Sequence, residues 1–306
     1  MSYHARFPRA VSLPFTIALD SPSFKPSPSK AACRVLRRMS MQILAPSFAR
    51  LLSTPNAKER KRILASMPAG PFTSKTTRPD RFLELDAAII SATRRLPVDK
   101  EVTVHDMAAS DGITSLELFN RLSQERPVRL TASDYYDEIS AARKGVCWVF
   151  YDSDNVVLQV ALGAIALRSK QANEFLAWLL SPSFATRTRV SLFHPDVIAK
   201  TKSDGRFMAT RDDFFSPSPV RYDVVRVMNA LGTRNFPRLQ IERAVTAVAK
   251  TVVDGGLLVL GRSADELDGR SQATIFQRLQ NEFIAVADMA GGYELRDFVL
   301  KLQADA

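Results

Sequence analysis

Cysteine is nearly missing from this chain. Two residues in 306, Cys33 and Cys147, stand alone, in no Cys-x-x-Cys pair and beside no histidine. A disulfide framework and a thiolate zinc site are thereby excluded, and a reducing, cytoplasmic setting is expected. Histidine is almost as scarce: His4, His105 and His194 are the whole supply, so an imidazole base has few candidates. Long apolar runs are lacking too. The longest, residues 156–167 and 13–19, fall well short of the ~20 residues that a membrane-spanning helix needs, so no membrane partner is expected. Acidic residues are thin only at the start. The first 100 residues hold 18 Lys/Arg against 6 Asp/Glu, whereas the other 206 hold 24 against 26, so the net charge of +10 belongs to the N-terminal third. That surplus lacks the interleaved aromatic residues of a nucleic-acid surface, and no nucleic-acid partner is expected.

What is present is an ordinary globular composition, 46% hydrophobic and 24% charged, which rules out global disorder. Residues 1–29 are rich in Pro and Ser, with Asp20 the single acid, and read as a mobile tail, although organelle transit peptides share that composition. Residues 30–67 have helical spacing, with Val35, Met39, Ile43 and Leu44 apolar and Arg34, Arg37 and Arg38 polar, broken at Pro46 and followed by the basic stretch 58–62. A further helix is predicted over 80–95, where Phe82, Leu85, Ile89 and Ile90 share a face. Residues 30–100 are therefore expected to form a basic helical segment.

After Pro97 strands alternate with helices. Strands are predicted at 102–107, 128–133, 206–210, 222–228 and 257–261, with helices at 115–123 and 238–251, the alternation that builds a parallel sheet, here five strands deep. Residues 145–185 interrupt it with a hairpin, 146–151 against 156–162, and a helix over 171–180; they read as an insertion. Segments 273–279 and 282–287, flanking Gln280-Asn281, are either a closing hairpin or one long helix. The fold class expected for 101–306 is α/β, a Rossmann-like, mostly parallel sheet with helices on both faces.

The segment Val104-His105-Asp106-Met107-Ala108-Ala109-Ser110-Asp111-Gly112 lies where the first strand gives way to the first helix. In open parallel sheets ligands bind outside the carboxyl ends of the strands, and small residues in the first turn let the backbone approach them. Asp134, 22 residues beyond Gly112 at the end of the second strand, is placed to accept hydrogen bonds from ribose hydroxyls.

These residues resemble the class I S-adenosylmethionine-dependent methyltransferases, whose first motif reads Asp-x-Gly-x-Gly-x-Gly and whose second strand ends in an acid. Asp106 through Gly112 fills that frame with Ala108 and Ser110 at two glycine positions, an Ala/Ser-rich turn similar to that of the chemotaxis-receptor methyltransferases. Residues 209–215, Ala-Thr-Arg-Asp-Asp-Phe-Phe, are similar to the third motif, which implies that Asp213, in preference to Asp212, reaches the adenine amino group. Residues 222–231 are similar to the fourth strand, with Asn229 at its carboxyl edge. Residues 253–260 are similar to the Pro-Gly-Gly turn and fifth strand, with Asp254 in the proline position. The cofactor site so implied is Asp106, Ala108, Ser110, Gly112, Asp134, Tyr135, Asp213, Phe214 and Asn229, holding S-adenosylmethionine and no metal. Tyr135 and Tyr136 are expected to stack on the adenosine or to pack as cover at the sheet edge. A dinucleotide-binding dehydrogenase would keep more of the glycines that admit a pyrophosphate.

The implied activity is methyl transfer to a small-molecule acceptor, with the insertion and the N-terminal helices covering the acceptor. Two other readings stay open: a protein carboxyl methyltransferase, and a scaffold that binds S-adenosylmethionine without catalysis. No Asn/Asp-Pro-Pro-Tyr follows the fourth strand and neither cysteine follows a proline, so the signatures of nucleobase methylation are lacking. No general base is assigned. His105, inside a strand, and His194, beside Pro195, read as structural; Arg226 and Arg234 read as surface ion pairs or as hands for an acidic acceptor.

Overall fold

The computed structural model describes residues 41–43, 68–69, 73–74, 79–97, 100–162, 165–167, 170–180, 187–216, 218–233, 235–263 and 270–303. They fall into two compact units, Met1–Thr76 with Glu138–Ser191, and Thr77–Asp137 with Leu192–Ala306. Among the described residues the first unit contains β1 (Met41–Ile43), β2 (Pro68–Ala69), β3 (Thr73–Ser74), β6 (Glu138–Lys144), β7 (Cys147–Tyr151), β8 (Val157–Leu162), β9 (Ile165–Leu167), β10 (Thr188–Ser191) and the helix α3 (Lys170–Leu180). The second contains α1 (Leu83–Thr93), β4 (Val102–Met107), α2 (Ile113–Glu125), β5 (Val128–Asp134), α4 (Pro195–Ser203), β11 (Phe207–Arg211) and β12 (Tyr222–Met228). It ends with α5 (Arg238–Ala249), β13 (Val252–Ser263), β14 (Ser271–Leu279), β15 (Glu282–Met289) and α6 (Arg296–Val299).

In the second unit the sheet order is β11-β5-β4-β12-β13-β14-β15. The first five strands are parallel; β14 runs antiparallel to β13, and β15 antiparallel to β14. The central strands are apolar nearly throughout because helices cover both faces. Val104, Leu130, Val224 and Val259 face Leu85 and Ile89 of α1, Phe119 and Leu122 of α2 and Val197 of α4. Their neighbours along the strands, Val225, Leu258 and Leu260, face Ile241, Val245 and Val248 of α5 and Val299 of α6. The period of two thus sends alternate residues into two separate cores.

In the first unit six of the described strands form an antiparallel sheet, β1-β9-β8-β7-β6-β10, and β2 pairs with β3 apart from it. Ala142, Val149, Tyr151 and Val160 of that sheet bury Ala177 of α3, and Asn173 of the same helix accepts the Val160 N–H through Oδ1 at 2.7 Å.

Four expectations are corrected. The sheet has seven strands rather than five, because residues 273–287 close as the hairpin β14–β15, turning at Gln280 with a φ of 55°. The insertion is wider than 145–185: Glu138–Lys144 is already its first strand, and Thr188–Ser191 pairs back onto it. That strand, Glu-Ile-Ser-Ala-Ala-Arg-Lys, has one β-branched residue, and its extended form comes from pairing on both sides. Within the segment expected to be helical, Met41–Ile43 is a strand paired with β9. Finally, β13 begins five residues early, at Val252, with a bulge at Asp254-Gly255-Gly256. The tail over 1–29 and most of the helical segment over 30–67, with His4, Cys33 and Arg234, lie outside the described residues.

Candidate functional site

In the second unit the chain steps from β4 outward to β5 and β11 and then returns across the sheet to β12 on the other side of β4. That reversal is a topological switch point, and the crevice outside the carboxyl ends of β4 and β12 is where such sheets bind ligands.

The turn leaving β4 bears the residues of the first motif. Ala108, Ser110 and Gly112 all adopt left-handed backbone, with φ of 56°, 61° and 76°. These are the three glycine positions of the motif, so the glycine conformation persists where two of the glycines do not. For Ala108 and Ser110 it costs roughly 1–2 kcal/mol each. The turn is held by Ala109 N–H donating to Ser133 O at 2.8 Å, Gly112 N–H to Ala109 O at 2.9 Å, and Ser110 N–H to Oδ2 of Asp134 at 2.7 Å. Asp111 accepts the Ile113 N–H at the start of α2, and its carbonyl accepts the His194 N–H at 2.8 Å.

Asp134, buried at the end of β5, also accepts the Tyr136 N–H through Oδ1 at 3.0 Å. The structure therefore places it against the turn, at the edge where the spacing put it. The Tyr135 ring stands edge-to-face with Tyr136, and the Arg211 guanidinium lies 4.8 Å from its centroid. Beyond β11 the two candidate acids diverge. Asp212 accepts the Asp213 N–H and turns its other oxygen to 3.5 Å from His105 Nε2, whereas Asp213 accepts the Phe215 N–H at 3.0 Å. Phe214 joins Phe215 and Phe236 in a half-buried cluster of rings 4.8–6.0 Å apart. Asn229, left-handed at a φ of 60°, accepts the Ser263 N–H and so fastens the end of β13 to the end of β12. The same sheet edge carries a cavity of about 420 Å³ lined by Glu84, Arg270, Ser271, Met289 and Ala290.

Asp106 departs from the cofactor contact expected of it. It is buried, and both oxygens are engaged: Oδ1 accepts Nε of Arg226 at 2.9 Å, and Oδ2 accepts Nη2 of Arg226 and Oγ of Ser115, each at 2.5 Å. Arg226, expected at the surface, is 0% exposed. Its Nη1 donates to Asp86 Oδ1 at 2.8 Å, and Asp86 is held in turn by Arg121, which also reaches Asp80 at 2.6 Å. Burial opposes the Arg226 charge, but the two carboxylates outweigh it and raise the pKa. Burial likewise raises Asp86, to about 6, against the pull of Arg226 and Arg121. The sequence held one signal of this pair, a lone arginine inside an apolar strand; that Arg226 lies directly opposite Asp106 emerges only from the sheet register.

Both described histidines are engaged within the fold. His194 caps α4, its Nδ1 accepting the Asp196 N–H at 3.2 Å. His105 is buried, with Nε2 2.8 Å from Ser133 Oγ and its ring 4.6 Å from that of Tyr222. Among the described residues no cluster of His, Cys, Asp and Glu could hold a metal, and no helix is long and apolar enough to cross a membrane.

The strand order, with helices on both faces, defines a doubly wound, Rossmann-like α/β domain with a crevice at its switch point. No family model and no curated protein sequence matches the chain. Solved structures similar to it include CalS10, an amino pentose methyltransferase from Micromonospora echinaspora with S-adenosylmethionine bound (14% identity, 68% of this chain and 71% of that one, TM-score 0.31). Others are the CurJ carbon methyltransferase (13%, 71% and 42%, 0.34) and NcsB1, an O-methyltransferase from neocarzinostatin biosynthesis in complex with S-adenosylhomocysteine (12%, 58% and 40%, 0.29). The chain spans less than half the length of the CurJ and NcsB1 chains.

Proposed function

We propose that this chain is an S-adenosylmethionine-dependent methyltransferase acting on a small-molecule acceptor. The observation that carries the reading is the turn itself: left-handed backbone at 108, 110 and 112, pinned to Asp134 on the adjacent strand. The residues present suit S-adenosylmethionine better than a dinucleotide. Ala108 and Ser110 put side chains where a pyrophosphate would need bare backbone, and S-adenosylmethionine has no pyrophosphate. When bound, the cofactor supplies a methyl group on a sulfonium, which needs no metal to transfer.

Within this reading Asp134 receives the ribose hydroxyls, a carboxylate having acceptor sites enough for these and the two backbone N–H groups. Phe214 and Tyr135 offer ring faces to the adenine, and Asp213 a carboxylate to its amino group. Asp106 takes no part in contact and holds the turn from behind. The chain's chief contribution to rate is orientation, which holds acceptor and donor in line and supplies several kcal/mol of barrier lowering. Titration calorimetry of Asp134→Ala tests the reading. Loss of hydrogen bonds to a charged group costs about 1.5–3 kcal/mol, so S-adenosylmethionine affinity falls tenfold or more. Unchanged affinity removes Asp134 from the site.

A further inference from the structure

We infer that Arg226 is a positioning residue that holds the 108–112 turn in its binding shape through Asp106, replacing the freedom that glycine would give at 108 and 110. The inference deepens the proposed function and rests on it for its cofactor arm only.

A left-handed residue other than glycine persists where its surroundings over-determine it. Ala108 and Ser110 are two such residues in one short turn, so the shape has to be imposed from both sides. On one side Asp134 takes the Ser110 N–H. On the other, Asp106 stands two residues ahead of Ala108, and its carboxylate binds at once Arg226 on β12 and Ser115 in the first turn of α2. One side chain thus ties the strand that enters the turn to the helix that leaves it. The guanidinium cannot drift, because its third contact is Asp86 on α1 and the Phe82 ring lies 5.6 Å from its centre. Only arginine serves here. Two parallel donors to Asp106 and a third to Asp86 need a planar fork, which one ammonium group does not present.

Arg226→Met alone would strand two buried carboxylates, so the informative variant adds Asp86→Asn and Asp106→Asn, removing the buried charges together at constant volume. Cooperative unfolding is expected to survive. Amides of residues 108–112 should exchange with deuterium at least tenfold faster than in the parent, while those of β14 and β15 stay unchanged, and S-adenosylmethionine should bind at least tenfold more weakly. Adding Ala108→Gly and Ser110→Gly should recover most of that affinity, and gain more in this variant than in the parent, the coupling a double-mutant cycle reads. Exchange at the turn that matches the parent's overturns the inference whether or not the chain binds S-adenosylmethionine. Weak binding that the glycines do not rescue overturns it as well, since turn shape is then not what Arg226 provides. A parent that binds no S-adenosylmethionine defeats the functional reading instead, and the exchange measurement still decides this one. Should the triple variant fail to fold, Arg226→Lys, which keeps the charge without the fork, is read in the same assays with the same expected outcomes.

Discussion

Gly112 has a φ of 76°, and a Cβ built on it would stand 3.1 Å from Cγ1 of Val197 and 3.3 Å from Cδ1 of Phe193. A side chain is therefore opposed twice, by the backbone and by α4. Gly112→Ala should cost at least the ~1–2 kcal/mol of the left-handed conformation and lower the melting temperature by several degrees. An unchanged melt would mean that the turn is not set as described. His105 is the second test at this scale. Burial lowers its pKa from the ordinary 6.5, against the pull of Asp212 and Asp106, so the folded chain prefers the neutral ring. The stability so held is complete above 6.5 and is lost as pH falls through the depressed value. Compared with His105→Gln in denaturant melts, the parent should lose ground between pH 8 and pH 5; a constant difference would contradict the assignment. The positions of Gly112 and Asp134, in the turn after β4 and at the end of β5, were legible in the sequence because they follow from spacing along one strand–turn–helix–strand unit. Arg226 was not, because its partners lie 120 and 140 residues away and meet it only through sheet register.

The elements of the second unit followed from periodicity wherever the strands are apolar on both faces. Strand β12 is found where the pattern put it, and β4 and β5 agree to within a residue. Strand β6 escaped because a run of Ser, Ala, Arg and Lys carries no strand signal, and only its partners β7 and β10 make it one. Its discovery moves the boundary of the insertion, and the new boundary has a consequence for engineering. The Leu192 N–H donates to the Asp137 carbonyl at 2.7 Å, so the chain leaves the second unit and returns to it at one point. Replacing residues 138–191 with a linker of a few residues, ~3.3 Å each, should therefore keep unfolding cooperative and leave S-adenosylmethionine affinity within a fewfold of the parent. Methyl transfer should be lost, because loops and insertions select the second substrate while the core holds the cofactor. A variant that no longer unfolds cooperatively would show that the second unit depends on the first for its fold; one that still turns over would make the insertion peripheral to acceptor choice.

Taken as a whole molecule, the chain keeps its cationic surplus in the first 100 residues and a near-balanced charge in the rest, where the crevice lies. With no surplus of cations in that part of the chain, binding of S-adenosylmethionine to the proposed site should lack the steep salt dependence of phosphate neutralisation. What separates the proposed function from dinucleotide binding on the same kind of fold is the pair Ala108 and Ser110. Titration calorimetry of the full chain with S-adenosylmethionine, S-adenosylhomocysteine and NAD, side by side, tests that most directly. The two sulfur compounds should bind at one site per chain and compete with each other, with no heat from NAD; saturable binding of NAD at the same site, with none of S-adenosylmethionine, would contradict the account.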